Sequence, residues 1–543
     1  MNVSTLAKPM TIREENIPKV LIILLIISIV IRSFLAEFHE LGNDEVYYWT
    51  YALYPDWSHF DHPGMLGWIM QLFSLNLLFD NEFFLRLSSV IFMTVNTWLM
   101  YLIGKELKNK IAGFYTALLF TASLYAFVIS GVFIMPDTPL MLFLLLSVYL
   151  FIRYFTTKRE HNPFAETHGR ASIQGIALLL LAGLFAGLAM LSKYSAAFIW
   201  VGVGLYILIY DRKELKNGYL YLAVLISALC LLPILIWNMQ HDFISFNFHG
   251  DRVSLFGKLR LDYLGTELAG ELLYNNPIVY ILIIIALIAF FKKTKHAGET
   301  GSQLLLLTAL PWIGVFIYFS LTRSTLPHWS APGVCLLIPI AGCYLAEKQD
   351  NMTGIYRIPR VVTSALILLL VAVGIGSFEI KTGNIQAHFA SDKPVEMTAI
   401  GKGDVTLDMY GWDQMREGFS KVRDSLVTLG EMSAEDGIIA LKWFPAANMD
   451  YYIATPLGIN LYALGDLNQI HKYYWVNEIR GGLQKGKNYW FIDQSYNYFS
   501  PDCPQMKTSF EHITPVDTFA IYRGGRVAEY VFVYKLEGYK CAN

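Results

Sequence analysis

Long apolar runs, separated by short polar ones, fill the first 380 residues. Runs of near-spanning length fall at 19–36, 83–104, 111–130, 138–155, 173–191, 195–210, 219–237, 277–291, 304–321, 329–346 and 361–378. A helix needs about 20 residues to cross a bilayer core, so the pattern predicts about eleven transmembrane helices. Met65–Phe79 is apolar but too short, and reads as a segment lying along the membrane surface. From Lys381 onward the apolar runs shorten and alternate in period. Val405–Met409, Gly437–Leu441, Tyr489–Ile492 and Tyr530–Tyr534 read as strands. Gln414–Val427 and Ala446–Ile453 read as amphipathic helices. The predicted fold is a polytopic α-helical membrane module, residues 1–380, followed by a small soluble α/β domain, residues 381–543.

Composition agrees. The chain has 543 residues, 55% hydrophobic and 16% charged, with a mean hydropathy of +0.41. A soluble protein would carry about a quarter charged residues. Net charge is −2, which suggests no nucleic-acid partner. Cys230, Cys335 and Cys343 fall in apolar runs, and no metal-type cysteine spacing appears. Cys503 and Cys541 fit a disulfide or two free thiols equally well. The first apolar run follows Arg13 and Lys19 and lacks a small-residue cleavage site, so it reads as a retained signal anchor.

Basic residues fall on alternate loops: Lys105/Lys108/Lys110, Lys158/Arg159/Arg170, Arg212/Lys213/Lys216, Lys292/Lys293/Lys295 and Lys348/Arg357/Arg360. The positive-inside rule puts these loops in the cytoplasm. The polar motifs, and residues 381–543, then face outward from a cytoplasmic (inner) membrane.

Those motifs carry the candidate chemistry. Asp44-Glu45 follows a Gly-Asn turn and opens an aromatic helix that includes Tyr48. Asp44 reads either as a complement to the helix dipole or as a general base for an acceptor hydroxyl or amine. Asp137, in Met-Pro-Asp-Thr-Pro, reads as an N-cap, a catalytic acid, or both. Asp61-His62-Pro63-Gly64 opens the surface segment; His62 suits a phosphate or a turn cap. His249 and Arg252 lie in the polar segment 238–276. Asp61 with His249 makes a weak divalent-ion signal, and solvated loop residues are the plainer reading. Lys193, Arg323 and His328 stand at outer ends of runs, where Lys193 and Arg323 either snorkel or hold an anionic headgroup.

These residues, in this order and topology, resemble the integral-membrane glycosyltransferases of the GT-C fold. The nearest groups are the bacterial protein O-mannosyltransferase-like and lipid A aminoarabinose transferase-like enzymes. The resemblance rests on Asp44-Glu45, Phe60-Asp61-His62-Pro63, Pro136-Asp137-Thr138-Pro139, Leu191-Ser192-Lys193-Tyr194, and Ile236-Trp237-Asn238 with Gln240-His241-Asp242. It implies Asp44 as base and Asp137 as a second acid. Asp61, His62, His249 and Arg252 would line the lipid-phosphate site, with a possible divalent metal ion. Arg323 and His328 would contact the donor phosphate. The aminoarabinose transferases carry Glu-Lys-Pro-Pro where this chain has Asp61-His62-Pro63-Gly64, and an Arg near Val46-Tyr47, so no particular sugar is implied.

The implied function is inverting transfer of a sugar from a polyprenyl-phosphate donor, drawn from the membrane lipid, to an extracytoplasmic protein, lipid or glycan acceptor. Two other classes fit a membrane cavity: a transporter, which would place its polar groups at the midplane of repeated halves, and a lipid-binding scaffold, which has no need of Asp44.

Overall fold

The computed structural model describes residues 11–160, 173–252, 258–292, 297–349, 354–389 and 395–540. Arg170, Lys293, Lys295 and Cys541 lie outside the described residues, as does the side chain of Arg252. The chain divides into two compact units: residues 1–36 with 56–372, and residues 37–55 with 373–543.

In chain order the helices of the first 382 residues are α1 (Ile17–Phe38), α2 (Asn43–Leu53), α3 (Met65–Phe73), α4 (Glu82–Leu107), α5 (Lys110–Ala122), α6 (Asp137–Glu160), α7 (Ile173–Ser192), α8 (Phe198–Tyr210), α9 (Gly218–Leu229), α10 (Leu232–Gln240), α11 (Ile244–Arg252), α12 (Leu261–Tyr274), α13 (Pro277–Phe291), α14 (Glu299–Ser320), α15 (Ala331–Glu347) and α16 (Arg360–Thr382). Every apolar run read from the sequence is helical. Among the described residues α1, α4, α6, α7, α14 and α16 are long and apolar enough to cross a membrane. The pairs α9–α10 and α12–α13 also qualify, bent by 41° and 99°, while α5, α8 and α15 are shorter apolar helices. The protein is a multi-pass membrane protein.

Burial in the first unit is that of a lipid-embedded bundle. On α1, Ile22, Ile23, Ile26, Ile27 and Val30 are all more than half exposed, which for apolar side chains means contact with lipid. Inside, Tyr115, Phe120, Leu144 and Trp312 are fully buried in one cluster. Small residues let the helices touch. A Cβ on Gly183 of α7 would stand 2.5 Å from the carbonyl oxygen of Ala223 on α9, and one on Gly342 of α15 would stand 2.8 Å from that of Ala112 on α5. Hydrogen bonds also join neighbouring helices: Ser147 Oγ of α6 donates to Ala182 O of α7 at 2.8 Å, and Ser227 Oγ of α9 to Gly183 O of α7.

The basic loops meet at one end of this bundle. Lys158 pairs with Asp211 at 2.7 Å and with Glu214, Arg159 donates to Thr300 Oγ1 at 2.9 Å, and Lys108 pairs with Glu347. Strands β1 (Thr11–Arg13) and β2 (Ile355–Arg357) pair there. Asp137 and Lys158 lie at opposite ends of α6.

The sequence reads segment 238–276 as a long polar loop, but it holds α11 and α12. On α12, Leu261, Leu268 and Leu273 are exposed while Glu267 and Glu271 are fully buried. A helix with carboxylates inward and leucines outward reads as polar and aperiodic by soluble-protein rules; in lipid it is the stable arrangement.

The second unit contains α2, then α17 (Asn384–Phe389), α18 (Trp412–Thr428) and α19 (Trp443–Met449), which continues as a π-helical turn at Asp450–Ala454. Its sheet holds β3 (Ile438–Ala440), β4 (Leu461–Ala463), β5 (Tyr489–Gln494), β6 (Phe510–Arg523) and β7 (Arg526–Tyr539), in the order β4-β3-β5-β7-β6. β3 runs parallel to both β4 and β5, and β5, β7 and β6 are antiparallel. The connections from β3 to β4 and from β4 to β5 are helical, as parallel pairs require. Gly524 and Gly525, at φ +57° and +78°, make the tight turn between β6 and β7. Val405–Met409 is a 3₁₀ helix, not the expected strand. Asp404 caps it, its Oδ1 accepting from Thr406 N at 3.1 Å, and a capping carboxylate before a short apolar run starts a helical turn.

The Gly183 seam generates a prediction. Gly183→Leu should lower the thermal midpoint of the detergent-purified protein, because overpacking against backbone costs about 1–3 kcal/mol. An unchanged midpoint would mean the α7–α9 contact is looser than described.

Candidate functional site

In the first unit the site is built around Asp137. Pro136 ends the preceding coil and Asp137 opens α6, so its carboxylate sits at a helix N-terminus. It is fully buried. Lys193 Nζ donates to Asp137 Oδ2 at 2.7 Å, and Tyr125 Oη donates to Oδ1 at 2.8 Å. Lys193 stands at the break between α7 and a 3₁₀ turn at Tyr194–Ala197. Tyr125 opens a π-helical turn, Tyr125–Ile129. Sequence reading missed Tyr125; its only signal was that a buried Asp needs donors.

The Asp56–Gly64 loop is held from several sides. Asp56 Oδ2 accepts from Trp237 Nε1 at 2.8 Å, and the Asp56 carbonyl accepts from Trp68 Nε1 at 3.1 Å. Gly64 has no room for a side chain, since a Cβ would lie 2.6 Å from the Asp56 carbonyl oxygen. His241 stacks on Trp237 at 4.1 Å, its Nδ1 donating to the Trp237 carbonyl at 2.8 Å. His249 Nε2 donates to the main-chain carbonyl of Asp61 at 2.9 Å, its ring 6.5 Å from that of His62. Asp61 and His249 are thus joined through the main chain. Among the described residues no group of three His, Cys, Asp or Glu could hold a metal ion. With one carboxylate, and an imidazole engaged on a carbonyl, these residues fit a divalent ion poorly.

His62 and His328 flank the ion pair. Burial pushes the His62 imidazole down to about 4, with the Lys193 and His249 charges acting in the same direction and Asp61 and Asp137 opposing. Burial also pushes His328 down to about 4, Lys193 adding to the effect and Asp137 opposing it. Both rings are therefore neutral at pH 7, and the positive charge among these groups belongs to Lys193. The turn bearing His328 is pinned by Glu267 of α12, which accepts from Thr325 Oγ1 at 2.7 Å and Ser330 Oγ at 3.2 Å. Glu267 was also missed. Arg323 packs over the Phe319 ring at 5.6 Å.

In the second unit, α2 presents Asp44 at its first turn as an exposed residue, while residues 45–52 are buried. Glu45 Oε2 accepts from Gly42 N at 2.9 Å and caps the helix. Tyr48 is buried between Tyr47 and Tyr51. The helix is clamped at both ends. Leu41 N donates to Tyr452 Oη at 2.5 Å; Lys472 Nζ donates to the carbonyls of Thr50 at 2.8 Å and Tyr54 at 2.6 Å. Arg480, ion-paired to Asp450 at 2.9 Å, donates to Tyr54 Oη at 2.9 Å.

The two lowered imidazoles make stability pH-dependent. Below pH ~6.5 an unfolded histidine takes up a proton that the folded one refuses until about pH 4, so stability falls as pH drops through that window. The thermal midpoint should fall more between pH 7 and pH 5 for the wild type than for a His62→Gln/His328→Gln double variant. Equal slopes would show that the imidazoles charge freely.

Residues 61–237 match the family model for dolichyl-phosphate-mannose-protein mannosyltransferases. A lipid A galacturonosyltransferase of Rhizobium johnstonii, RgtD, is 22% identical over 306 residues, which are 56% of this chain and 59% of that protein. The chain thus spans less than two thirds of that relative's length. The crystal structure of ArnT from Cupriavidus metallidurans bound to undecaprenyl phosphate has a TM-score of 0.58 at 12% identity, covering 94% of this chain and 97% of the other. Its apo form gives 0.56 at 13% identity, with the same coverage of each chain. The chain has the fold of the GT-C membrane glycosyltransferases, a helical membrane bundle with a small C-terminal sheet domain.

Proposed function

We propose that the protein transfers a sugar from a polyprenyl-phosphate donor to an extracytoplasmic acceptor, with inversion at the anomeric carbon. The observation that carries this reading is the buried Asp137–Lys193 pair flanked by neutral His62 and His328. It supplies a fixed cation at a helix end, with no second full charge on the imidazoles, which suits a lipid phosphate leaving as an anion. ArnT was crystallised with undecaprenyl phosphate, and RgtD is named for sugar transfer to lipid A; both agree with such chemistry.

Asp44, exposed at the start of a rigidly clamped helix, is the base. It takes the proton of an acceptor hydroxyl or amine as that atom attacks the anomeric carbon. The bond to phosphate oxygen breaks, and the polyprenyl phosphate leaves with the electron pair. Lys193 holds the developing charge, with Arg252, Arg323, His62 and His328 as further phosphate contacts; Asp137 holds Lys193 in place. Glu45 and Tyr48 support Asp44 from within the helix. Asp61 and His249 shape the loop, and no step is routed through a metal ion. In this reading residues 1–380 form the catalytic membrane module and 381–543 the extracytoplasmic domain. The basic loops face the cytoplasm across the inner membrane, with the chemistry on the outer side. A transporter is disfavoured because the polar cluster lies at helix ends, not at the midplane.

Asp44→Asn keeps the size of the side chain but cannot take a proton, and should reduce turnover about 100-fold or more while the thermal midpoint holds. Retention of more than about a tenth of wild-type turnover would remove Asp44 as base. Lys193→Met should abolish release of polyprenyl phosphate from the labelled donor. For topology, Lys213→Cys should resist an impermeant thiol reagent in intact cells while Lys485→Cys reacts; the reverse pattern would overturn the assigned orientation.

A further inference from the structure

The second unit contains a cavity of about 400 Å³ lined by Val405, Lys442, Trp443, Phe444, Tyr496 and Asn497, among others. That volume lies within the ~300–1,000 Å³ range of small-ligand sites. Its walls are aromatic and held in place. His471 stacks parallel to the Trp443 indole, 5.6 Å away with the planes 15° apart. Phe444 meets Tyr496 edge to face at 6.3 Å. Tyr496 Oη donates to Asp408. Among the described residues no carboxylate lines the cavity; its hydrogen-bonding side chains are the Trp443 indole N–H, the Tyr496 hydroxyl, the Asn497 amide and the Lys442 ammonium.

Two of these walls touch α2 on either side of Asp44. The Asn43 side chain lies beside Asp408 and Tyr496. The Tyr47 ring lies 5.1 Å from that of Trp443. Residues 43 and 47 are four apart and share one helix edge, and exposed Asp44 falls between them, one residue after the first and three before the second. The cavity therefore adjoins the first turn of α2, which carries the proposed base.

Aromatic walls with a few polar groups match the two faces of a pyranose. Its axial C–H bonds pack on ring faces, and its equatorial hydroxyls bond to an amide, a phenol or an ammonium. An extended peptide would need a free strand edge for its backbone hydrogen bonds, and the cavity is lined by helical turns and loops instead. We propose that this cavity is the acceptor subsite and takes a sugar ring, so that the acceptor is a saccharide, free or lipid-linked. The proposal rests on the transferase reading above for the word acceptor, but not for the binding itself.

The test uses the full chain in lipid nanodiscs and saturation-transfer NMR. One probe is a soluble N-acetylglucosamine disaccharide; the other is the same sugar carried on a lipid in the disc. Saturation should pass to the ring protons of at least one probe. Signal from the soluble sugar means that the ring alone suffices; signal only from the lipid-linked one, in excess of protein-free discs and of the Val405→Trp protein, identifies a glycolipid acceptor. Val405 is 74% exposed at the cavity, so Val405→Trp should fill the mouth without unfolding the domain. It should weaken binding, and raise the acceptor KM, at least about tenfold; Asn497→Ala should weaken binding with an unchanged thermal midpoint. No saturation of either probe, or equal saturation in the Val405→Trp protein, overturns the subsite. Sugar binding without release of polyprenyl phosphate would instead overturn the transferase reading and leave the subsite standing.

Discussion

The membrane unit depends on one buried ion pair. An unpaired carboxylate or ammonium inside a lipid-embedded bundle costs several kcal/mol, so Asp137 and Lys193 have to meet, and the helices are interrupted where that meeting requires. Pro136 stops the chain before α6, so the carboxylate falls at a helix N-terminus. α7 breaks at Lys193 into a 3₁₀ turn, which frees the ammonium to turn inward. The π-helical turn at Tyr125–Ile129 adds a residue to its helical turn and brings the phenol onto the second carboxylate oxygen. Three irregularities of backbone thus serve one pair of charges.

In the second unit the comparable constraint is the fixing of α2. Eleven residues form too short a helix to persist alone in water. It is held by hydrogen bonds to residues remote in sequence: a tyrosine hydroxyl on the approach to its N-terminus, and a lysine and an arginine at its C-terminal carbonyls and Tyr54. The last two are cations at the negative end of a helix dipole. With residues 45–52 buried, the exposed Asp44 carboxylate is carried by a helix that has little freedom to move.

Legibility in the sequence followed the length and polarity of the elements. Every apolar run became a helix, because lipid leaves a long apolar segment no other stable backbone. In the C-terminal sheet domain α18, β5 and part of β7 were visible by period, whereas fourteen-residue β6, mostly exposed or half-buried, carried no apolar alternation and was not read as a strand. Three-residue β4 lacked the length to show a pattern, and Asp404 turned Val405–Met409 helical. Among site residues, Asp44, Asp137 and Lys193 stood out as charges beside apolar runs. Tyr125, Asp56 and Glu267 did not. A tyrosine at a membrane boundary looks like an ordinary belt residue, an aspartate among loop residues looks solvated, and Glu267 sits on a helix whose polarity is inverted. Asp56 and Glu267 act through partners remote in sequence: Trp237 for Asp56, Thr325 and Ser330 for Glu267.

In the proposed reaction, the arrangement lets one lysine rest buried and still receive an anion. At rest the Asp137–Lys193 pair carries no net charge, which keeps the bundle stable when the site is empty. Lys193 has three N–H donors and gives one to Asp137. An incoming phosphate oxygen can take a remaining donor without breaking the pair. The neutral imidazoles of His62 and His328 offer hydrogen bonds while adding no standing positive charge that would require its own counterion. Had either histidine been protonated at rest, the unliganded bundle would bear an uncompensated cation. Burial and Lys193 together prevent this, so the Lys193 ammonium proposed to meet an anionic leaving group is already neutralised by Asp137 until an anion arrives.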